Sequence, residues 1–139
     1  MNSMNGLTNK NIGKRKKRVC IVDDDEMLRM MLEGHLAKNP SYYVETFPTG
    51  EDFLTVFEEE VIPDIIILDF NLDSVKPNAM NGLEILKQIK SRDRSLKVIM
   101  YSSQEQYGKA LQTISSGAVE YIIKDDGAFQ KIDSVIKSL

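Results

Sequence analysis

One cysteine, Cys20, and one histidine, His35, leave this chain without the donors for a disulfide scaffold or a zinc-thiolate cluster. Within the apolar run Val19 to Val22, Cys20 reads as a small buried hydrophobe, and His35, inside a helical pattern, reads as structural or exposed. Glycine-rich phosphate loops are missing after every apolar run, which argues against a nucleotide-binding enzyme. Long hydrophobic stretches are missing too. The run Ile65-Ile66-Ile67-Leu68 is far too short to cross a bilayer, and the polar start over residues 1–11 lacks the apolar centre of a signal peptide. The resulting expectation is a cytoplasmic protein without a membrane partner.

What is present is ordinary for a protein with a real core. The 139 residues are 42% hydrophobic and 28% charged, which suits one globular domain. Charge is unevenly spread. Residues 1–17 carry Lys10, Lys14, Arg15, Lys16 and Lys17 and no acid, so the rest holds 13 basic against 21 acidic residues, a net −8. We read residues 1–17 as a basic, solvated, disordered leader and residues 18–139 as the folded domain. Its acidic body should repel nucleic acid and favour cations or basic partners.

Along the folded part, short β-branched runs alternate with helical patterns. Val19-Cys20-Ile21-Val22 reads as a buried strand, and Met27, Leu28, Met31, Leu32 and Leu36 then recur at the spacing of one helix face, stopped by Pro40. Residues 42–47 alternate like a strand, and Phe53, Leu54 and Phe57 mark a second helix ending before Pro63. The run from Ile65 to Leu68 suits a central strand covered on both faces. After a long loop, Leu83, Ile85, Leu86 and Ile89 mark a third helix, and residues 97–101 form the next strand. A fourth helix over residues 104–116 is expected to bury Ala110, Leu111 and Ile114 and to stop at Gly117. Residues 120–123 are the last strand, and Phe129, Ile132, Val135 and Ile136 line a closing helix. Strict alternation of five strands and five helices implies an α/β fold, a doubly wound parallel sheet with helices on both faces.

In such a sheet, ligands gather beyond the carboxyl ends of the strands, so the residues that close each strand carry the information. The first strand ends in Asp23-Asp24-Asp25-Glu26, the third in Asp69, the fourth in Ser102-Ser103 and the fifth in Lys124. Carboxylates brought together repel one another unless a cation intervenes. Magnesium, which takes a few carboxylates plus water and phosphate oxygens, suits this set better than zinc. Asp69, at the tip of the most apolar strand, is the best-placed covalent nucleophile toward phosphorus. With metal on one side and the Lys124 ammonium on the other, positioning and charge neutralisation are both available. A Ser102 hydroxyl can donate to a phosphate oxygen. Taken singly, each residue has a plainer reading, since aspartates 23–25 could simply begin a helix.

The ordered set Val22-Asp23-Asp24-Asp25, Leu68-Asp69, Met100-Tyr101-Ser102-Ser103 and Ala118-Val119-Glu120-Tyr121-Ile122-Ile123-Lys124 resembles the receiver domain of bacterial two-component response regulators. The resemblance covers residues 18–139. It implies a flavodoxin-like sheet of strand order 2-1-3-4-5 and phosphorylation by a sensor histidine kinase or a phosphotransfer protein. By motif, Asp69 corresponds to the phosphoacceptor, Asp24 to a direct Mg2+ ligand, Asp23 to a residue acting on the metal through water, and Asn71 to a backbone-carbonyl ligand. Ser102 corresponds to the switch hydroxyl, Lys124 to the phosphate-binding lysine and Tyr121 to the aromatic rotamer switch. Side chains at Asn71 and Gln104 correspond to positions that tune dephosphorylation. The implied role is a signalling switch, not an enzyme. The face of the fourth helix, fifth strand and fifth helix is the expected site of homodimerisation or output.

Two features depart from the family pattern. Asp125 follows Lys124 where proline is usual, so a trans peptide is expected there, because a cis bond without proline costs about 3–4 kcal/mol. The loop over residues 70–81 is also long, and it carries Asp73, Lys76 and Pro77 beside the expected site. Two alternatives stay open. One is a phosphorylation-independent interaction module of the same fold. The other is a haloacid-dehalogenase-like phosphatase, against which Asn71 stands where that family places a second aspartate.

Overall fold

The computed structural model describes residues 15–59, 62–103 and 107–139. Within them, strands β1 (Lys17–Val22), β2 (Tyr42–Phe47), β3 (Ile65–Asp69), β4 (Lys97–Ser102) and β5 (Glu120–Ile123) alternate with helices. These are α1 (Glu26–Ala37), α2 (Gly50–Glu59), α3 (Gly82–Arg92), α4 (Tyr107–Ser115) and α5 (Ala128–Ser138). All neighbouring strands are parallel, in the order β2-β1-β3-β4-β5. The sheet order that the family resemblance implied is therefore the one observed.

Alternation along each strand divides the core in two. Cys20, Val22, Ile66, Leu68, Val98 and Met100 point to one face and pack with Phe53 and Phe57 of α2 and Ile85, Leu86 and Ile89 of α3. Val19, Ile21, Ile65, Ile67, Ile99 and Ile122 point to the other and meet Leu32 and Leu36 of α1 and Ile132 and Ile136 of α5. Every residue of β3 is buried, as its unbroken apolar run foretold.

Local chemistry fixes where the helices start. The Asp25 carboxylate accepts from the Leu28 amide at 3.1 Å and caps α1. Asn81 and Glu84 form a reciprocal capping box at the start of α3. Gly82 must be glycine: a Cβ there would lie 2.2 Å from the Asp69 carbonyl oxygen. Its amide donates to the Phe70 carbonyl at 2.7 Å, which closes the long loop at its base. Gly117, at φ +109°, stops α4 as expected.

Three expectations need correction. Lys17 belongs to β1, its amide bonded to the Ser41 carbonyl at 2.8 Å, and Arg15 is tied to Asp64, so the end of the expected leader joins the domain. The apolar run hid this, because the first positions of β1 are only half buried. Residues 1–14 lie outside the described residues. On α1, Met27 and Met31 are exposed, Met27 at 71%, because the apolar stripe is wider than the helix can bury against one sheet face. On α4, Leu111 is 64% exposed and Ile114 also faces out, while Thr113 is buried and donates its hydroxyl to the Ala110 carbonyl. That helix begins at Tyr107, and residues 104–106 lie outside the described residues. The Lys124–Asp125 peptide is trans, as expected from the missing proline.

Candidate functional site

β1 and β3 lie side by side, with Val22 opposite Leu68 in register, so the residues just past them emerge together. Asp23, Asp24 and Asp69 are all buried there, and each offers a carboxylate oxygen within 4.8 Å of the other two. β5 reaches the same edge through β4. The Lys124 amide bonds to the Ser102 carbonyl, and its ammonium stands 3.1 Å from Asp23 Oδ2 and 3.2 Å from Asp69 Oδ2. The Tyr101 ring lies beneath that ammonium, its centroid at 4.9 Å.

Each carboxylate is also oriented by the backbone. The Asp25 amide donates to Asp23 Oδ1 at 2.9 Å, and the Asn71 amide donates to Asp69 Oδ1 at 3.2 Å. Arg29 of α1 reaches back to the Asp23 carbonyl at 2.7 Å and fixes the β1–α1 turn. Asp24 Oδ2 accepts from both the amide and the hydroxyl of Ser74, a residue of the long loop.

Electrostatics match the crowding. Burial pushes the Asp69 carboxyl up to about 7; Lys124 opposes the rise and the neighbouring Asp23 charge adds to it. Burial works to lower Lys124, yet Asp69 and Asp23 outweigh it and hold the ammonium above its usual range. Three carboxylates facing one ammonium leave the cluster short of positive charge. An all-oxygen, buried donor set with that deficit fits a hard divalent cation such as Mg2+, and it offers no nitrogen or sulfur to a softer metal.

Asp23, Asp24, Asp69, Lys124 and the Asn71 amide thus meet in one crevice. Ser102 is fully buried at the end of β4, beside Tyr101, which pairs with Asp69. Tyr121 lies further back, opposite Met100 and partly buried against the core. Gln104 lies outside the described residues. Reasoning from sequence missed Ser74, Arg29 and Tyr101. Nothing local marks the first two, whereas Tyr101 stands one residue before Ser102 at a strand end and was open to notice.

A doubly wound sheet that gathers three carboxylates and a lysine beyond its central strands defines the class of CheY-like receiver folds. The response regulator receiver domain family matches residues 19–136, and the chain belongs to that family. It is 30% identical to the chemotaxis protein CheY of Bacillus subtilis over 88% of this chain and 97% of that protein. It is 35% identical to the protein-glutamate methylesterase/protein-glutamine glutaminase of Thermotoga maritima over 80% of this chain but only 31% of that protein. Among solved structures, the response regulator TrrA from Thermotoga maritima in complex with Mg2+-BeF superimposes with a TM-score of 0.73 at 28% identity, covering 88% of this chain and 99% of that one. Among the described residues no helix is long and apolar enough to cross a membrane.

Proposed function

We propose that this receiver domain accepts a phosphoryl group on Asp69, in the presence of Mg2+, from the phosphohistidine of a sensor histidine kinase or a phosphotransfer protein, in the cytoplasm. The observation that carries the reading is the Asp69 carboxylate itself. It is buried at the tip of β3, 3.2 Å from the Lys124 ammonium and within 4.8 Å of two further carboxylates. A relative whose structure holds Mg2+-BeF supports the same assignment.

In this reading an Asp69 oxygen forms the new bond to phosphorus as the phosphorus–nitrogen bond of the donor breaks, its electron pair returning to the imidazole. Mg2+, when bound, neutralises charge on the phosphoryl oxygens. Asp24 and Asp69 would hold it through side-chain oxygens, Asn71 through its backbone carbonyl, and Asp23 would act on it through water. Lys124 stands close enough to Asp69 to pair with an oxygen of a phosphoryl group carried there. Transfer needs Asp69 ionised, and the adjoining cations favour that form. Ser102 then turns its hydroxyl toward the phosphoryl group and Tyr121 changes rotamer, while the side chains of Asn71 and Gln104 set the rate of hydrolysis. The α4-β5-α5 face carries the changed state to a partner or a second copy. Exposed Tyr107, Leu111 and Ile114 give α4 itself apolar surface to present.

Incubation with acetyl phosphate and Mg2+ followed by intact mass tests the reading. Wild type should gain one phosphoryl group and Asp69→Asn none. A wild type that stays unmodified would favour a passive module instead.

A further inference from the structure

The long β3–α3 loop is held on the domain at several points. Its own Leu72 is fully buried in the core, the Met80 amide bonds to Glu51 Oε2 of α2 at 2.9 Å, and within the loop the Ala79 amide bonds to the Lys76 carbonyl. Asn78 takes a left-handed φ of +68°, which turns the chain back toward α3. Residues 73–78 are exposed, yet one of them turns inward. Ser74 gives both its amide, at 3.0 Å, and its hydroxyl to a single oxygen, Oδ2 of Asp24.

A carboxylate oxygen has about two acceptor directions. Ser74 fills both on Oδ2 and leaves coordination to Oδ1. We propose that Ser74 is a metal-specificity residue: it fixes Asp24 as a one-oxygen ligand and so makes the carboxylate cluster prefer Mg2+ over Ca2+. The inference rests on the reading of Asp23, Asp24 and Asp69 as the Mg2+ site. Its physical basis is the difference between the two ions. Mg2+ is small, demands near-octahedral geometry and takes carboxylates through one oxygen with retained waters. Ca2+ accepts six to eight oxygens and readily takes a carboxylate through both. A partner that locks the ligand's orientation also strengthens the ion that the locked geometry suits. Ser74 touches no substrate; it acts as a positioning residue through Asp24.

Calorimetric titration of the metal-free full chain with MgCl2 and with CaCl2 tests this, using wild type, Ser74→Ala and Ser74→Thr. Ser74→Ala should weaken Mg2+ binding about 10-fold, the low end for loss of a ligand's hydrogen-bond partner. Ca2+ should weaken less or gain, so the Mg2+/Ca2+ preference narrows. Ser74→Thr, which keeps the hydroxyl, should retain the wild-type preference. An unchanged preference in Ser74→Ala, or an equal loss for both ions, overturns the role of Ser74 alone. A wild type that binds no Mg2+ brings down the carboxylate site itself and this inference with it.

Discussion

Asp64 and Asp69 flank the same short strand, and the fold treats them in opposite ways. Asp64, just before β3, accepts from Arg15 and from the Arg18 amide, each at 2.8 Å, and stays partly in water. Its partial burial alone would raise it, but those donors overcome the effect and hold it below the usual carboxylate range. Asp69, the last residue of β3, has a lysine at 3.2 Å and is nonetheless pushed up to about 7, because burial and a second carboxylate outweigh that lysine. Ion-pair length is therefore no guide to what a pair does. Solvent access and the number of like charges decide whether an aspartate sits below or above its usual range.

The sharpest break between the two ends should come from neutralising each carboxylate in turn. Asp69→Asn should lose all acceptance of phosphoryl from acetyl phosphate, whereas Asp64→Asn should accept it as wild type does, both read by intact mass. Next in size is the loss of the site's cation. Lys124→Met leaves two buried carboxylates facing each other, and at pH 8 without Mg2+ it should cost about 3 kcal/mol by urea unfolding. The deficit should shrink near pH 5, where Asp69 can take up a proton.

A smaller effect concerns pH. Asp69 holds its proton more tightly folded than unfolded, so between about pH 4 and about pH 7 the folded state binds the extra proton. Its contribution is therefore best at the acid side of that window and declines as pH rises through it. Asp64 works the other way: its contribution is full above the unfolded value and is lost as pH falls through its depressed one. Urea midpoints of the metal-free protein should thus show a decline from pH 4 to 7 that Asp69→Asn flattens, and a slope that Asp69→Asn leaves intact would sink the comparison. The smallest change belongs to Arg15→Ala, whose side chain is largely solvated; its urea midpoint should stay close to wild type.

Much of the architecture was open to reading because strands buried on both faces write themselves as unbroken β-branched runs. Ile65 to Leu68 could scarcely be anything but central, and Asp69 follows directly at its end. Amphipathic helices were harder. Met27 and Leu32 belong to one apolar stripe on paper, yet α1 buries Leu32 and exposes Met27. On α4 the polar Thr113 goes inward, its hydroxyl satisfied within the helix, and the larger Leu111 goes out. Periodicity marks an apolar face without saying how much of it meets a neighbour.

By itself, then, the order of residues determined the alternation of strands and helices and put acids, a serine and a lysine at strand ends, since both follow from local pattern. Tertiary structure alone decided that Ser74 grips Asp24 from 50 residues away, that Met27 and Leu111 face water, and that Asp69 holds its proton up to about 7. Such outcomes depend on which segments the sheet brings together and how far water is excluded between them, and neither is encoded in any one stretch of chain.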